Sequence, residues 1–212
     1  MRKIGIGWFF GLILVVTLFA GQAPAQSISS ATNTDTATLK DDYFQPGFHE
    51  FGAGAGVLFS PIGSSYARPK VDYVPGYIEA DYMLTHMFAS GFWRNNLEVS
   101  LQGWGAGIYE NTGHYIAGGT LWLRHNLVPE GSRFVPYVEV GAGFVSMDIN
   151  HQYDGHNFNF NLDAAGGTRY FVTPHFSLNA QFQYQHISNA NTADHNIGIN
   201  AIGPILGASW FF

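Results

Sequence analysis

Segments of strand length in which polar and apolar side chains alternate recur through the chain, and they restrict its fold more than any other feature. In one of them, Phe158, Phe160 and Leu162 alternate with asparagines and an aspartate. In another, covering residues 176–185, apolar residues alternate with Ser, Asn and Gln. Because successive side chains of a β-strand point to opposite faces, this pattern predicts strands with one polar and one apolar face.

About eight such segments follow one another, separated by clusters of Gly, Pro, Asn, Asp and His. The expected strands are Phe48–Ser60, Asp72–Phe88, Asn95–Tyr109, Tyr115–Val128, Phe134–Met147, Asn157–Val172, His175–Ser188 and Gly198–Phe212. Consecutive strands joined by short connections pair in antiparallel fashion. The pattern therefore predicts an all-β fold, an eight-stranded antiparallel β-barrel.

Composition decides which face of the barrel points outwards. Charged residues make up 11% of the chain, whereas soluble domains have about a quarter. Aromatic residues reach 16%, glycines number 26, and no segment after the N-terminus is a convincing apolar helix of membrane-spanning length. A soluble barrel such as a lipocalin would also alternate, but with its polar face outside. The low charge favours the opposite arrangement, a transmembrane barrel in an outer membrane.

The N-terminus has the layout of an export signal. Arg2 and Lys3 precede an uncharged stretch, Ile4–Ala20, and Ala23-Pro24-Ala25 supplies the small residues at which signal peptidase cuts. We therefore expect a cleavable signal peptide over residues 1–25; the alternative is an uncleaved membrane anchor. Residues 26–42, rich in Ser, Thr, Ala and Asn, predict a flexible periplasmic leader, and residues 43–212 the barrel.

Charge and cysteine content exclude several classes of function. The formal net charge is −6, and cleavage of the signal would remove two basic residues, so a nucleic-acid partner is not expected. The chain has no cysteine and therefore no thiol chemistry. His151 and His156 flank Asp154 in a polar loop, where solvated side chains are the better interpretation than metal ligands, so no metal is expected.

A set of ionisable residues shares the polar faces of the expected strands. Its members are Glu79, Asp81, Glu98, Glu139, Asp163 and Arg169. The interior of an eight-stranded barrel is narrow enough for side chains to fill it. We expect these groups to meet there as a buried structural network, and we do not interpret the carboxylates as catalytic.

The end of the seventh expected strand carries the candidate chemistry. His186 and Ser188 lie two residues apart and therefore point the same way, as a general base and a nucleophile must. Their parity is that of Phe182 and Tyr184, so the pair should face lipid, where unexplained polar groups are costly. His-x-Ser pairs are common by chance. Asn200 shares the apolar face of the eighth expected strand and should lie across from His186.

These residues resemble the motif of the PagL-type lipid A deacylases of bacterial outer membranes. The matching stretches are His186-Ile187-Ser188-Asn189-Ala190 and Asn196-Ile197-Gly198-Ile199. The resemblance implies an eight-stranded barrel that removes the ester-linked 3-O acyl chain of lipid A, or lipopolysaccharide, without a cofactor. It further implies that Ser188 is the nucleophile, that His186 is the base, and that Asn189 with nearby backbone N–H groups stabilises the oxyanion.

The chain departs from this family at the third member of the triad. Where the motif places a glutamate, this chain has Asn200. An asparagine can accept a hydrogen bond from the imidazole, but it cannot neutralise the imidazolium that forms during attack. Activity would then be reduced, lost, or rescued by another acid, for which Asp194 is the weaker candidate.

Two other functional classes stay open. One is a non-catalytic structural or ligand-binding barrel with a degenerate triad, which the missing glutamate favours. The other is a narrow channel, which eight strands disfavour because they leave little lumen. The sequence gives no indication of oligomeric state.

Overall fold

The computed structural model describes residues 33–60, 70–110, 113–150 and 155–212. The predicted signal peptide, residues 1–25, and the alternative of an N-terminal anchor lie outside these residues. Within the described part of the chain, no helix has the length and apolarity needed to cross a bilayer.

Eight antiparallel strands form a closed barrel in which each strand pairs with its neighbours in sequence and β1 pairs with β8. The strands are β1 (His49–Gly56), β2 (Asp72–Met83), β3 (Asn95–Glu110), β4 (Tyr115–Leu127), β5 (Phe134–Met147), β6 (Phe158–Thr173), β7 (Phe176–Ser188) and β8 (Ile199–Phe211). The predicted fold class is confirmed. Two strands end earlier than expected, because residues 57–60 and 84–88 make only isolated bridges.

The outer surface of the barrel is apolar. Leu101, Leu162 and Leu206 point outwards and are each at least 60% exposed. Further large apolar side chains on this surface include Phe51, Ile78, Leu121, Val138, Val140, Phe144, Phe158, Leu178, Phe182 and Trp210. An apolar exterior around a partly polar interior is the arrangement of barrels that span membranes, and it is the reverse of a soluble barrel.

The interior contains three layers rather than one polar lumen. An apolar layer below the β7–β8 connection includes Tyr73, Trp104, Ile116, Val145, Met147, Ile187 and Ile199. A second apolar layer, near the start of β1 and the end of β8, contains Phe44, Met83, Val128, Val135, Phe171 and Phe211. Charged residues occupy the space between them. In the described part of the chain, the polar layer is thus covered by apolar side chains on both sides.

Two arginines organise the charged layer. Arg124 contacts Glu79, Asp81, Glu98 and Glu139 at distances of 3.5, 3.3, 2.7 and 2.6 Å. Arg169 contacts Glu98 at 2.8 Å and Glu50 at 2.5 Å. The predicted set is buried as expected, although Asp163 accepts hydrogen bonds from Asn161 and Gln185 instead of from an arginine. Sequence reasoning did not single out Arg124 or Glu50.

From residue 33 onwards the predicted leader lies within the described residues, where it is largely helical. Asn33–Leu39 forms α1, and Lys40–Tyr43 continues it as a 3-10 helix. Lys40 is fully buried, and Phe44 packs against Phe171 and Phe211 at the terminal end of the barrel. This segment is held by contacts with the barrel mouth, and such contacts leave no periodic pattern in the leader's own sequence.

Candidate active site

His186, Ser188 and Asn200 come together where β7 ends and β8 begins. In the β7–β8 ladder, His186 lies directly opposite Asn200. On the other side of β7, Phe160 and Leu162 of β6 pair with Ser188 and His186. The even-numbered side chains of β7 point outwards, as predicted from parity, whereas Gln185 and Ile187 are buried inside.

The three side chains form a continuous hydrogen-bond chain. The Asn200 Oδ1 atom lies 2.7 Å from His186 Nδ1, and His186 Nε2 lies 3.1 Å from Ser188 Oγ. Because an amide oxygen only accepts hydrogen bonds, this orientation of the Asn200 amide requires a neutral imidazole to carry its proton on Nδ1. Nε2 then accepts the hydrogen bond of the serine hydroxyl, which is the arrangement that a general base and its nucleophile require.

A fourth side chain joins this arrangement and was missed from the sequence. The hydroxyl of Tyr184 donates a hydrogen bond to Asn200 Oδ1 over 2.7 Å. Tyr184 pairs with Ile202 in the ladder, so Asn200 is its diagonal neighbour on the same face. Asn200 Oδ1 therefore accepts two hydrogen bonds, one from the phenol and one from the imidazole.

The connection that follows Ser188 is a turn built around Asn189. Asn189 is fully buried, its Nδ2 donates to the His195 carbonyl at 2.7 Å, and its Oδ1 accepts the Asn191 N–H at 2.9 Å. Its own N–H donates to Asn196 Oδ1 at 3.1 Å. In this conformation Asn189 has no surface with which to contact a substrate, and its contacts hold the turn. The expected oxyanion role stays a prediction that these contacts do not favour.

Gly198 closes the turn next to His186 and Ser188. It has φ +70°, a left-handed conformation that other residues adopt at a cost, and it is buried. A Cβ atom added at Gly198 would lie 3.3 Å from His186 Cε1 and 3.7 Å from the Ser188 Cβ. The glycine thus permits the backbone to pass close to the imidazole.

The other sequence candidates lie apart from this chain of hydrogen bonds. Asp194 is exposed in the turn, and the position opposite the imidazole is occupied by Asn200. His156 contacts Thr192 Oγ1 at 2.9 Å, which packs the β5–β6 connection against the β7–β8 turn. His151 and Asp154 lie outside the described residues.

One group of carboxylates among the described residues has the spacing of a metal site. Oxygens of Glu50, Asp81 and Glu98 lie within 4.8 Å of one another in the interior. Each of these carboxylates already contacts Arg124 or Arg169, whose positive charge opposes a bound cation. This group belongs to the structural layer and not to the site on the outer face.

Comparison with known proteins decides the family. A model of the family described as lipid A 3-O-deacylase (PagL) matches residues 76–209, well over half of the chain. The chain belongs to the PagL lipid A 3-O-deacylase family. The match includes most of β2, all of β3 to β7 and most of β8, and so contains the whole hydrogen-bond chain from Tyr184 to Asn200.

Solved structures show the same fold at low sequence identity. The crystal structure of the outer membrane enzyme PagL matches with a TM-score of 0.50 at 15% identity, covering 74% of this chain and 97% of that one. The crystal structure of Neisserial surface protein A (NspA) matches with a TM-score of 0.53 at 17% identity, covering 77% and 96%. No curated protein sequence matches the chain. These likenesses establish the outer-membrane type of barrel and leave the activity to be argued from the site.

Proposed function

We propose that this protein is an outer-membrane lipid A deacylase that hydrolyses an ester-linked acyl chain with Ser188 and His186. The observation that carries this proposal is the hydrogen-bond chain from Ser188 through His186 to Asn200 on the outward face of a barrel from the lipid A 3-O-deacylase family. Its outward neighbours on β6, Phe160 and Leu162, are apolar and suit an acyl chain.

The location of the site suits a substrate that is itself a membrane lipid. The β7–β8 turn lies at the end of the barrel at which β1 ends and β6 begins, whereas β1 begins and β8 ends at the other end. In outer-membrane barrels the longer connections are extracellular and the short turns periplasmic. The site would therefore lie at the level of the outer leaflet, which contains lipid A.

Acylation begins with attack of Ser188 Oγ on the carbonyl carbon of the acyl ester. His186 Nε2 takes the serine proton as the carbon–oxygen bond forms, giving a tetrahedral intermediate. The intermediate collapses with cleavage of the bond between the carbonyl carbon and the sugar oxygen. His186 returns the proton to that oxygen, so the sugar leaves as a free hydroxyl and the acyl group stays on Ser188.

Deacylation repeats these steps with water as the nucleophile. His186 Nε2 accepts a proton from water, the hydroxide attacks the acyl-serine, and the protonated imidazole gives the proton back to Ser188 Oγ. The products are a free fatty acid and the regenerated serine. Throughout both halves, Asn200 holds the Nδ1 proton of His186 in place, but it carries no charge with which to stabilise the imidazolium.

The test is mass spectrometry of lipid A from cells that produce the wild-type protein or a variant. We expect the wild type to remove one ester-linked acyl chain and Ser188→Ala to lower the rate by about four to six orders of magnitude. Ser146→Ala is the matched control, because Ser146 is also exposed on the outer face at the same end of the barrel. An unchanged acyl pattern with folded wild-type protein would refute the proposal.

A second candidate function, a non-catalytic outer-membrane barrel, is favoured by Asn200, which replaces the acidic third member. The variant Asn200→Glu separates the two functions. If the wild type is inactive and Asn200→Glu removes an acyl chain, the amide has disabled an otherwise intact site. If the wild type is active and Asn200→Glu is faster, the amide only limits the rate.

A further inference from the structure

The amide of Asn200 can satisfy its neighbours in two orientations, and only one of them suits catalysis. With Oδ1 towards His186, the imidazole carries its proton on Nδ1 and leaves Nε2 free to accept from Ser188. With the amide rotated by half a turn, Nδ2 would donate to Nδ1 and force the proton onto Nε2. The imidazole would then donate to Ser188 and could not take its proton. A carboxylate has no such ambiguity, since both of its atoms accept.

The Tyr184 hydroxyl contacts the same atom of Asn200 that faces the imidazole. Its Oη lies 2.7 Å from Asn200 Oδ1, equal to the distance from Oδ1 to His186 Nδ1. A phenol donates a hydrogen bond readily, but its oxygen is a weak acceptor because a lone pair is delocalised into the ring. The phenol therefore stabilises the orientation that presents Oδ1 and gives little to the orientation that presents Nδ2.

The surroundings make this preference effective. Tyr184 is 40% exposed on the outward face, and in a membrane that exposure is to lipid, which offers no competing hydrogen bonds. Its ladder partner is Ile202 and its neighbour on β6 is Ala164, both apolar. Breaking the bond to Asn200 would leave the phenol hydroxyl without a partner in an apolar environment.

We propose that Tyr184 is a positioning residue that orients the Asn200 amide, so that Tyr184 and Asn200 together take the place of the acidic third member of the triad. This inference rests on the proposed function, because the orientation matters to catalysis only if His186 is the base. Tyr184 touches neither the substrate nor Ser188 in this scheme. It acts through Asn200 on the tautomer of His186.

The kinetic test measures Tyr184→Phe in two backgrounds, with purified protein in lipid A-containing vesicles. With Asn200 present, we expect kcat to fall about three- to tenfold with KM within twofold, as for loss of one orienting hydrogen bond. In the Asn200→Glu background, Tyr184→Phe should change kcat by less than twofold. The control Tyr170→Phe removes a hydroxyl from an outward tyrosine of similar exposure and should be neutral in both backgrounds.

A spectroscopic test reads the tautomer without relying on activity. In ¹⁵N-histidine-labelled protein in micelles, with the His186 signals assigned from a His186→Gln sample, we expect the wild type to carry its proton on Nδ1. Tyr184→Phe should add a population protonated on Nε2. Retention of the gel shift between heated and unheated samples establishes that each variant is a folded barrel.

Several results would overturn the inference, and they differ from failure of the proposed function. An inactive wild type that still shows the Nδ1 tautomer and the Tyr184→Phe shift would refute the deacylase and leave the orienting contact standing. An active wild type whose kcat falls equally in both backgrounds, or in neither, would refute the positioning role. A wild-type imidazole already protonated on Nε2 would refute it as well.

Discussion

The barrel contains two polar clusters in contrasting surroundings, one enclosed and ionic, the other outward and neutral. The enclosed cluster joins Arg124 and Arg169 to five carboxylates, and all of its members are buried. The outward cluster joins Tyr184, His186, Ser188 and Asn200 through three hydrogen bonds and contains no carboxylate. Both follow from strand parity, since each occupies one face of its strands.

The difference shows what each face of the sheet can tolerate. Charges in the interior are stabilised by partners on several strands, so removing any one leaves others unpaired. A side chain on the outer face has neighbours on two strands and lipid beyond them, where an unpaired charge is costly. Neutral hydrogen-bonded groups avoid that cost. In this chain the amide of Asn200 lowers the free-energy cost of placing the outward cluster in lipid, compared with a carboxylate at that position. The same lack of charge makes Asn200 a weaker stabiliser of an imidazolium.

The largest effect should come from breaking the enclosed cluster. Arg124→Met leaves Glu79, Asp81 and Glu139 without an arginine partner, whereas Glu98 keeps Arg169, and we expect the free energy of unfolding to fall by about 3–5 kcal/mol. Urea titration of the protein in vesicles, followed by tryptophan fluorescence, measures the loss. Lys70→Met is the control: Lys70 is half exposed and pairs with Glu110 and with Asp72, whose carboxylate also accepts the Ser60 N–H, so its loss should cost far less than the loss of Arg124. Equal losses for the two variants would contradict the contrast.

A smaller effect should follow from removing the side chain that holds the turn. Asn189→Ala deletes the hydrogen bonds to the His195 carbonyl and the Asn191 N–H, which should cost about 1–3 kcal/mol. We also expect lower activity, because the turn directly follows Ser188, the proposed nucleophile. Asp194→Ala, in the same turn but exposed, should leave both quantities unchanged. A loss of activity in Asp194→Ala as large as that of a triad member would instead assign Asp194 the acidic role.

The strands, and the outward positions of His186 and Asn200, could be predicted because both depend only on the alternation of side chains along a strand. Each predicted strand overlaps an observed one, and the opposition of His186 and Asn200 follows once β7 and β8 are joined by a short connection. The Tyr184–Asn200 contact is diagonal and depends on the twist and side-chain direction of neighbouring strands, which a pattern does not encode.

Other features depend on contacts between distant parts of the chain. Arg124 looks like any inward residue of β4 until the carboxylates of β2, β3 and β5 are placed around it. The turn at Asn189 likewise could not be predicted from its own residues. Ala190 and Asn191 have φ 53° and 62°, and an alanine in a sequence does not predict a left-handed conformation because it rarely adopts one. The hydrogen bonds that impose it come from residues further along the turn.

Gly198 offers a way to test the outward cluster through the backbone. Gly198→Ala introduces about 1 kcal/mol of strain at a positive φ and places a methyl group against the imidazole, so we expect activity to fall about tenfold. Gly91→Ala is a matched control, since Gly91 has φ +60° with nothing near a Cβ atom and lies at the other end of the barrel. Activity that falls equally in both variants would indicate strain alone.

The smallest effect should come from a third polar cluster, formed by Asp148, His114 and Tyr115, which faces water. Asp148, directly after β5, is partly desolvated, which raises its pKa, but hydrogen bonds from the His114 and Tyr115 N–H groups outweigh this and lower the pKa below its usual value. Because the pKa of Asp148 is lower in the folded than in the unfolded protein, its ionised form stabilises the β3–β4 connection at pH values above the unfolded pKa of an aspartate, about 3.9. That stabilisation is lost as the pH falls through the folded pKa. Hydrogen exchange at the Tyr115 amide gives the free energy of opening of this connection. Between wild type and Asp148→Asn that free energy should differ by less than about 1 kcal/mol at neutral pH, and the difference should vanish in acid. A difference as large as that for Arg124→Met would mean that exposure to water does not weaken a polar cluster, and the contrast between enclosed and exposed clusters would fail.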